Sequence, residues 1–486
     1  MTAKQVFLRH SAATALLLLN AGIAQAETLQ GALAKAYRSN PTLTGTRAQQ
    51  RATDETVPIR KADGRPNIGT TTEYQELLVK PARSFLAPDR SLVGTATVNV
   101  PIYQGGAVRN GVKAAQVRVQ AGQANLRGTE ASIFSQVVAA YMDVIRDSAV
   151  VSLNLANVSA LGVNLQATND RFEVGDLTRT DVAQSESRLA LARSNLQTAQ
   201  ANLIASRENY IALVGATPDD LQPPPPLPGL PVTPETAVQV ALADNPDLVA
   251  AKKAREAARY DVRVAKAGVL PTLSGFAQGS YTHYLGSLDD PTDPSQLNKQ
   301  VVAGATLRLP LYQGGRPGAQ VRQNQALESR AMEQEIEVER GVIAQTRSAY
   351  ASWQASLQSI ESNQKAVEAA NLSLEGVRAE NSVGSRTILD ILNAEQEALN
   401  AKVQLVSARR NAYVAGFSLL AAMGHAEADD LSLEAGTLYD PMVNYDRVKG
   451  KWFDWDFGPA PKPEATRTVD TPAQNANVPA GLAQQP

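Results

Sequence analysis

The chain has no cysteine at all. Zinc ribbons, thiol catalysis and disulfide frameworks are therefore excluded. Histidine is nearly as scarce: His10, His283 and His425 are scattered too widely to suggest a metal site. Aromatic residues make up 5% and charged residues 19% of 486 positions, and the formal net charge is only -2. No surplus of positive charge is available to hold a nucleic acid, so no nucleic-acid partner is expected. Long apolar runs are also missing beyond the first two dozen residues. The best uncharged stretch, Ser148 to Asn169, has the length of a bilayer span, but it carries Ser148, Ser152, Ser159, Asn154, Asn157, Asn164 and Gln166. Lipid does not accept so many polar groups without partners. If this protein crosses a membrane after export, strands must do it.

What is present is size and aliphatic content. At 51.7 kDa the chain can build two or three domains. Its 43% hydrophobic residues are mostly Ala, Leu and Val, the composition of long helices. Lys4 and Arg9, the apolar run Ala12 to Leu19 and the small-x-small triplet Ala24-Gln25-Ala26 form an export signal, residues 1–26. Its removal takes away two basic groups and shifts the net charge from -2 to -4.

The rest of the chain says most things twice. Asn40-Pro41 recurs as Asn245-Pro246, offset by 205. Pro101-Ile-Tyr-Gln-Gly-Gly106 recurs as Pro310-Leu-Tyr-Gln-Gly-Gly315, Val174-Gly175 with Asp181 as Val383-Gly384 with Asp390, and Leu213-Val-Gly215 as Ala422-Met-Gly424, all offset by 209. Landmarks in one order, with a single four-residue change in spacing, mean duplication. The copies span 27–221 and 233–425, joined by the proline-rich connector 222–232, which cannot be helical. An equatorial segment at 426–457 and a disordered Pro/Ala/Gln/Asn-rich tail from 458 are expected to follow. The aromatic run Trp452, Phe453, Trp455 and Phe457 is expected to pack around the middle of the helical part, with partner docking as the other reading.

Within each copy the apolar period changes at the same places. Sevens run through Val137 to Leu165, Val182 to Tyr210 and Leu392 to Leu420, the mark of coiled-coil packing. The stretches from Ala107 and from Pro317 hold no internal proline and can form rods of about 65 residues, near 100 Å at about 1.5 Å per residue. Twos appear around the Tyr-Gln-Gly-Gly landmarks: Ala96, Val98, Val100 and Ile102, then Ala303, Ala305, Leu307, Leu309 and Leu311, alternate with mostly polar neighbours. These predict strands at about 93–103 and 301–312 with partners at 67–78 and 272–284. Each copy is therefore helix, strand, strand, long helix, helix. Such strands in an exported chain read as a membrane β-barrel. Four strands cannot enclose a lumen, since about eight are the minimum, so copies must pool them. Tyr74, Tyr103, Tyr281, Tyr284 and Tyr312 lie near the strand ends, where an aromatic girdle sits, and they are equally good strand formers.

Arg171-Phe-Glu-Val-Gly175 with Thr180-Asp181, Leu309-Pro-Leu-Tyr-Gln-Gly-Gly315 and Ser382-Val-Gly-Ser-Arg-Thr-Ile-Leu-Asp-Ile-Leu392 resemble the TolC-like outer-membrane efflux proteins over nearly all of the mature chain to Gly424. The resemblance implies a homotrimer whose 12 strands form one barrel, continued by a helical tunnel through the periplasm. It also implies a periplasmic adaptor and an inner-membrane pump as partners, the lipid of the outer membrane as surroundings, and no cofactor. The turns at Gly175 and Gly384 become the periplasmic tips, and Thr180, Asp181 and Arg386 the latch, with Arg386 reaching toward Asp181. Asn381 stands where the family often has Tyr. Asp390 keeps one acidic constriction ring, and Asn393 replaces the second. From the residues alone, Thr178-x-x-Asp181 and Thr387-x-x-Asp390 are also capping boxes, so the acids have a structural reading beside the functional one. Ser362-x-x-Lys365 lacks the companion motifs of a serine nucleophile, and no phosphate-cradling loop occurs. No enzyme is expected. A periplasmic adaptor or a poreless fibrous protein is the alternative.

Overall fold

The computed structural model describes residues 27–79, 88–287, 295–433 and 438–478. The export signal and most of both loops joining the strands lie outside these residues. The order is α1 (Leu29–Ser39), α2 (Pro41–Asp54), α3 (Thr56–Ala62), β1 (Asn67–Glu76), β2 (Arg90–Gln104), α4 (Ala107–Glu173) and α5 (Arg179–Val214). The second copy follows as α6 (Pro234–Asp244), α7 (Pro246–Lys266), β3 (Thr272–His283), β4 (Leu297–Arg308), α8 (Arg316–Ser382) and α9 (Ile388–Met423), with a short α10 (Pro441–Val448) after it.

The repeated sequence landmarks are mechanical joints. Asn40 caps α2 by accepting from the Thr42 and Leu43 amides at 3.0 and 3.3 Å, while Pro41 occupies the first helical position, where no amide hydrogen is missed. Its Nδ2 donates 2.9 Å to the Leu213 carbonyl, one of the orphan acceptors at the end of α5. Asn245 repeats every bond, to Asp247, Leu248 and, at 2.9 Å, the Ala422 carbonyl at the end of α9. The Asn-Pro and terminal Gly landmarks of each copy therefore meet in one place. Around the first joint lies the largest core, where Tyr37, Phe134, Tyr141, Tyr210, Phe417 and Leu420 are buried.

The sheet order is β1-β2-β3-β4, antiparallel throughout. Directly opposed residues share a face. The register aligns Ile68, Val98, Ala277 and Ala303 in one row, with Thr70, Ala96, Gly279 and Val301 in the next row on that side. The other face carries the row Gly69, Thr97, Gln278, Val302 and the row Thr71, Thr95, Ser280, Gln300. The side holding Ile68 is mostly apolar and the other mostly polar. Both edge strands, β1 and β4, have one unpaired side within the chain. β2 passes through Pro101 by a register shift between Pro101 and Tyr103. β4, expected to reach 312, ends at Arg308, because Pro310 has no amide hydrogen for the ladder; it instead begins at Leu297, opposite His283.

Two expectations for the C-terminal part are corrected. As far as Val478 the tail does not float. Arg207 binds the Asn477 carbonyl at 2.8 Å, the Gln474 amide donates to Glu208 at 3.0 Å, and Ala476 and Val478 pack on the main core. Local composition missed this because the tail borrows its apolar contacts from helices already formed. The aromatic run, in turn, is not packed on the helices: Trp452, Phe453, Trp455 and Phe457 are 58%, 77%, 82% and 84% exposed.

Candidate functional site: the helical tips and the contacts between the two hairpins

Helices α4 and α5 form one coiled-coil hairpin and α8 and α9 the other. Each turn ends its long helix with a glycine in the left-handed region, Gly175 at φ +83 and Gly384 at φ +82. The amides of Asp176 and Ser385 then return to the carbonyls of Arg171 and Glu380 at 2.9 and 3.0 Å. Each following helix opens with a complete capping box. Asp181 Oδ2 accepts from the Thr178 amide and hydroxyl at 2.9 and 2.7 Å, and Asp390 Oδ2 accepts from those of Thr387 at 2.9 and 2.8 Å. These bonds hold both carboxyls below the usual carboxylate range. The hydroxyl of Thr178 is the main cause for Asp181, and the backbone amide of Thr387 for Asp390. Both acids are thus ionised at neutral pH and fixed in position.

Each tip carries its own ion pair, in opposite polarity. In the first hairpin Arg171 binds Asp176 at 2.7 Å. In the second Glu380 binds Arg386 at 2.7 Å. Arg171 and Glu380 are equivalent positions, 209 apart. Among the described residues, Arg386 is therefore engaged within its own turn, and the Arg386–Asp181 contact is not made inside one chain. Asn381 donates to the Arg386 carbonyl at 2.7 Å, closing the same turn. Thr180 is exposed in the first turn of α5. Lys365 pairs with Glu361 on the surface of α8, which leaves the Ser362-x-x-Lys365 pattern an ordinary helical face.

Contacts join the two hairpins both beside the main core, where Arg410 on α9 pairs with Asp143 on α4 at 2.8 Å, and just behind the tips. Arg188 on α5 donates 2.7 Å to Oδ1 of Asn393 on α9. The almost buried Glu395 on α9 accepts from Asn164 on α4 at 2.8 and 3.0 Å and pairs with Arg378 on α8 at 2.8 Å. Beside them Leu161, Leu189, Ala192 and Leu392 form a small apolar cluster. A cavity of about 170 Å³ opens between Arg188, Leu392 and Glu395. Sequence reasoning singled out Asn393 and missed Asn164, Arg188, Arg378 and Glu395. Glu395 carried a signal: it lies between Leu392 and Leu399 at a seam position, where an acid must find a partner or be excluded.

With two 67-residue helices, two shorter return helices and a four-stranded, two-faced sheet in view, comparison with known proteins is decisive. Residues 12–216 and 237–425 match the profile of the family described as outer membrane efflux protein. The chain belongs to the outer membrane efflux protein family. It is 36% identical over 438 residues to the outer membrane efflux protein BepC of Brucella suis, covering 90% of this chain and 93% of that one. It is 27% identical over 442 residues to outer membrane protein TolC of Escherichia coli, covering 86% and 87%. In fold it is similar to the Campylobacter jejuni CmeC outer membrane channel, with a TM-score of 0.74 and 14% identity over 88% of this chain and 90% of that one. As a member of the efflux family, the protein resides in the outer membrane and extends into the periplasm, with long helices continuous with a β domain.

Proposed function

We propose that the protein is one protomer of a passive exit duct, through which an inner-membrane pump and a periplasmic adaptor discharge cargo such as drugs or secreted protein across the outer membrane. One observation carries this reading: a sheet with one apolar face and two open edges is incomplete in lipid, and its strands run directly into helices about 100 Å long by 1.5 Å per residue. Three copies pairing β1 to β4 make a closed 12-stranded barrel above a helical tunnel. No nucleotide or cofactor is used; the pump supplies the energy.

The closed state is held at two levels. Within a chain, Arg188–Asn393 and the Asn164–Glu395–Arg378 network tie one hairpin to the other. Between neighbouring copies, Arg386 exchanges its local partner Glu380 for Asp181, beside Thr180. Adaptor contact then favours the state in which these contacts are broken and the coiled coils holding Asp181 and Asp390 untwist. Three Asp390 carboxylates around a narrow opening concentrate negative potential and admit cations preferentially.

Protein extracted from outer membranes in detergent should have the mass of three chains and conduct ions in planar bilayers. Asp390→Ala should abolish block by multivalent cations added on the periplasmic side. A monomeric or non-conducting preparation overturns the duct, whereas persistent block removes only Asp390 from the constriction.

A further inference from the structure

After α10 the chain climbs to the level where helix becomes strand, turns, and descends again. On the ascending leg Lys61 donates to the Lys449 carbonyl and Arg65 to the Lys451 carbonyl, both at 2.7 Å. Arg65 lies two residues before Asn67, the first residue of β1. On the descending leg Glu464 pairs with Arg51 at 3.4 Å. Between these fixed legs the crest is Trp452-Phe-Asp-Trp-Asp-Phe457, with all four rings largely in the open. Among the described residues only Trp452 of this run has a ring partner, the Arg65 guanidinium 4.4 Å from its centroid.

We infer that this crest is a second membrane anchor, whose Trp and Phe rings enter the periplasmic leaflet of the outer membrane beside the barrel. Resting on the reading that the sheet crosses lipid, the crest lies next to it, because Arg65 stacks on Trp452 and stands two residues before β1. Its chemistry fits the boundary between headgroups and acyl chains. Trp prefers that depth, and apolar side chains of a surface-bound element settle about 5–10 Å into the boundary. Just below, Lys61 and Arg65 each donate to a carbonyl of the ascending leg, and Lys449 is paired with Asp446 at 2.6 Å. Tyr103, at the helix-side end of β2, and Tyr312, between β4 and α8, are exposed as well. The alternation with Asp454 and Asp456 argues against burial under a neighbouring copy. A dry protein interface would strip Asp454 of water, whereas at a lipid surface rings and carboxylates can face opposite ways. Asp456 already turns back to Lys451 at 2.9 Å. The anchor stands whether or not the hairpins form the gate.

The test is depth-dependent quenching in the full-length protein reconstituted in vesicles. The double variant Trp353→Phe, Trp452→Phe leaves Trp455 as sole emitter. Its fluorescence should lose most of its intensity when the vesicle lipid is phosphatidylcholine brominated near the carbonyl end, and acrylamide in the water should quench it less in vesicles than in detergent. The complementary variant Trp452→Phe, Trp455→Phe reports Trp353, which packs against Tyr350 in the helices, and should be untouched by brominated lipid. Water-like emission without bromine quenching means a free loop. Blue emission protected from both quenchers means a neighbouring copy covers the crest. Either result overturns the anchor.

Discussion

Helices α4 and α8 have the same length, 67 residues, and occupy equivalent places in the two copies, yet they live in different surroundings. α4 buries an apolar band along most of its length. α8 buries only Pro317, Val342, Thr346 and Ala370. The substitutions explain the difference position by position: Val119, Leu126, Ala131 and Val138 of α4 correspond to Glu328, Glu335, Arg340 and Arg347 of α8. A helix with so little buried surface is stabilised only in part by its own chain, where it packs on α7 and α9, because long helices in water owe most of their stability to packing. Leu327, Met332 and Ile336 remain half-exposed on α8, the surface that a neighbouring copy would cover in the proposed duct. Duplication produced two equal rods; divergence gave one to the interior of the protomer and, in the proposed duct, the other to the assembly.

The sharpest way to break this contrast is to exchange the residues. Val138→Arg, which gives α4 what α8 carries at the same position, places an unpaired charge at a fully buried site. It should cost more than about 4 kcal/mol, so that no folded chain is recovered. Ile336→Asp should instead leave the helical circular dichroism intact and abolish the detergent-stable oligomer. A normal trimer would mean that this face of α8 looks onto water.

A second test uses the equivalent acids Glu130 and Glu339. Glu130 accepts the Ala428 amide at 2.6 Å, and burial pushes its carboxyl up to about 7, against Arg47, which acts the other way. Glu339 is exposed. A carboxyl raised in the folded state is neutral in both states below its unfolded value and costs stability only once ionised. Stability should therefore fall as pH rises from about 4.5 to about 7, by roughly 1.4 kcal/mol at most for each pH step of one across that window. Glu130→Gln should flatten that slope in a pH series of thermal unfolding; Glu339→Gln is the matched control. The smallest effect is expected at the tips. Arg171→Ser and Arg386→Ser each remove an exposed, solvent-screened ion pair, so neither should change stability measurably. Only Arg386→Ser should raise single-channel conductance, because only Arg386 is proposed to reach a neighbour. Equal conductances would remove the latch.

Much of this was legible in the residues. Repeats, sevens and twos gave the element order, and the strand register confirms two faces of different polarity. The Asn-Pro landmarks were visible as repeats but not as joints, because their bonds to Leu213 and Ala422 connect residues more than 170 positions apart. Among site residues, the capping acids were readable from Thr-x-x-Asp. Arg188 and Arg378 were not, since a lone Arg on a heptad face looks solvated until its partner across the seam is known. The tail escaped local reasoning for the same reason: its order depends on Arg207 and Glu208 of a distant helix.

The joint at Asn40 has one more consequence. It clamps the start of α2 to the end of α5, and α5 runs from there for 36 residues, about 54 Å at 1.5 Å per residue, to the turn at Gly175. A beam pinned at one end magnifies small rotations at the other. Tilting α5 by only about 10° about this pivot would carry its far end roughly 9 Å sideways, enough to widen an aperture by several water diameters while leaving the collar of packed tyrosines undisturbed.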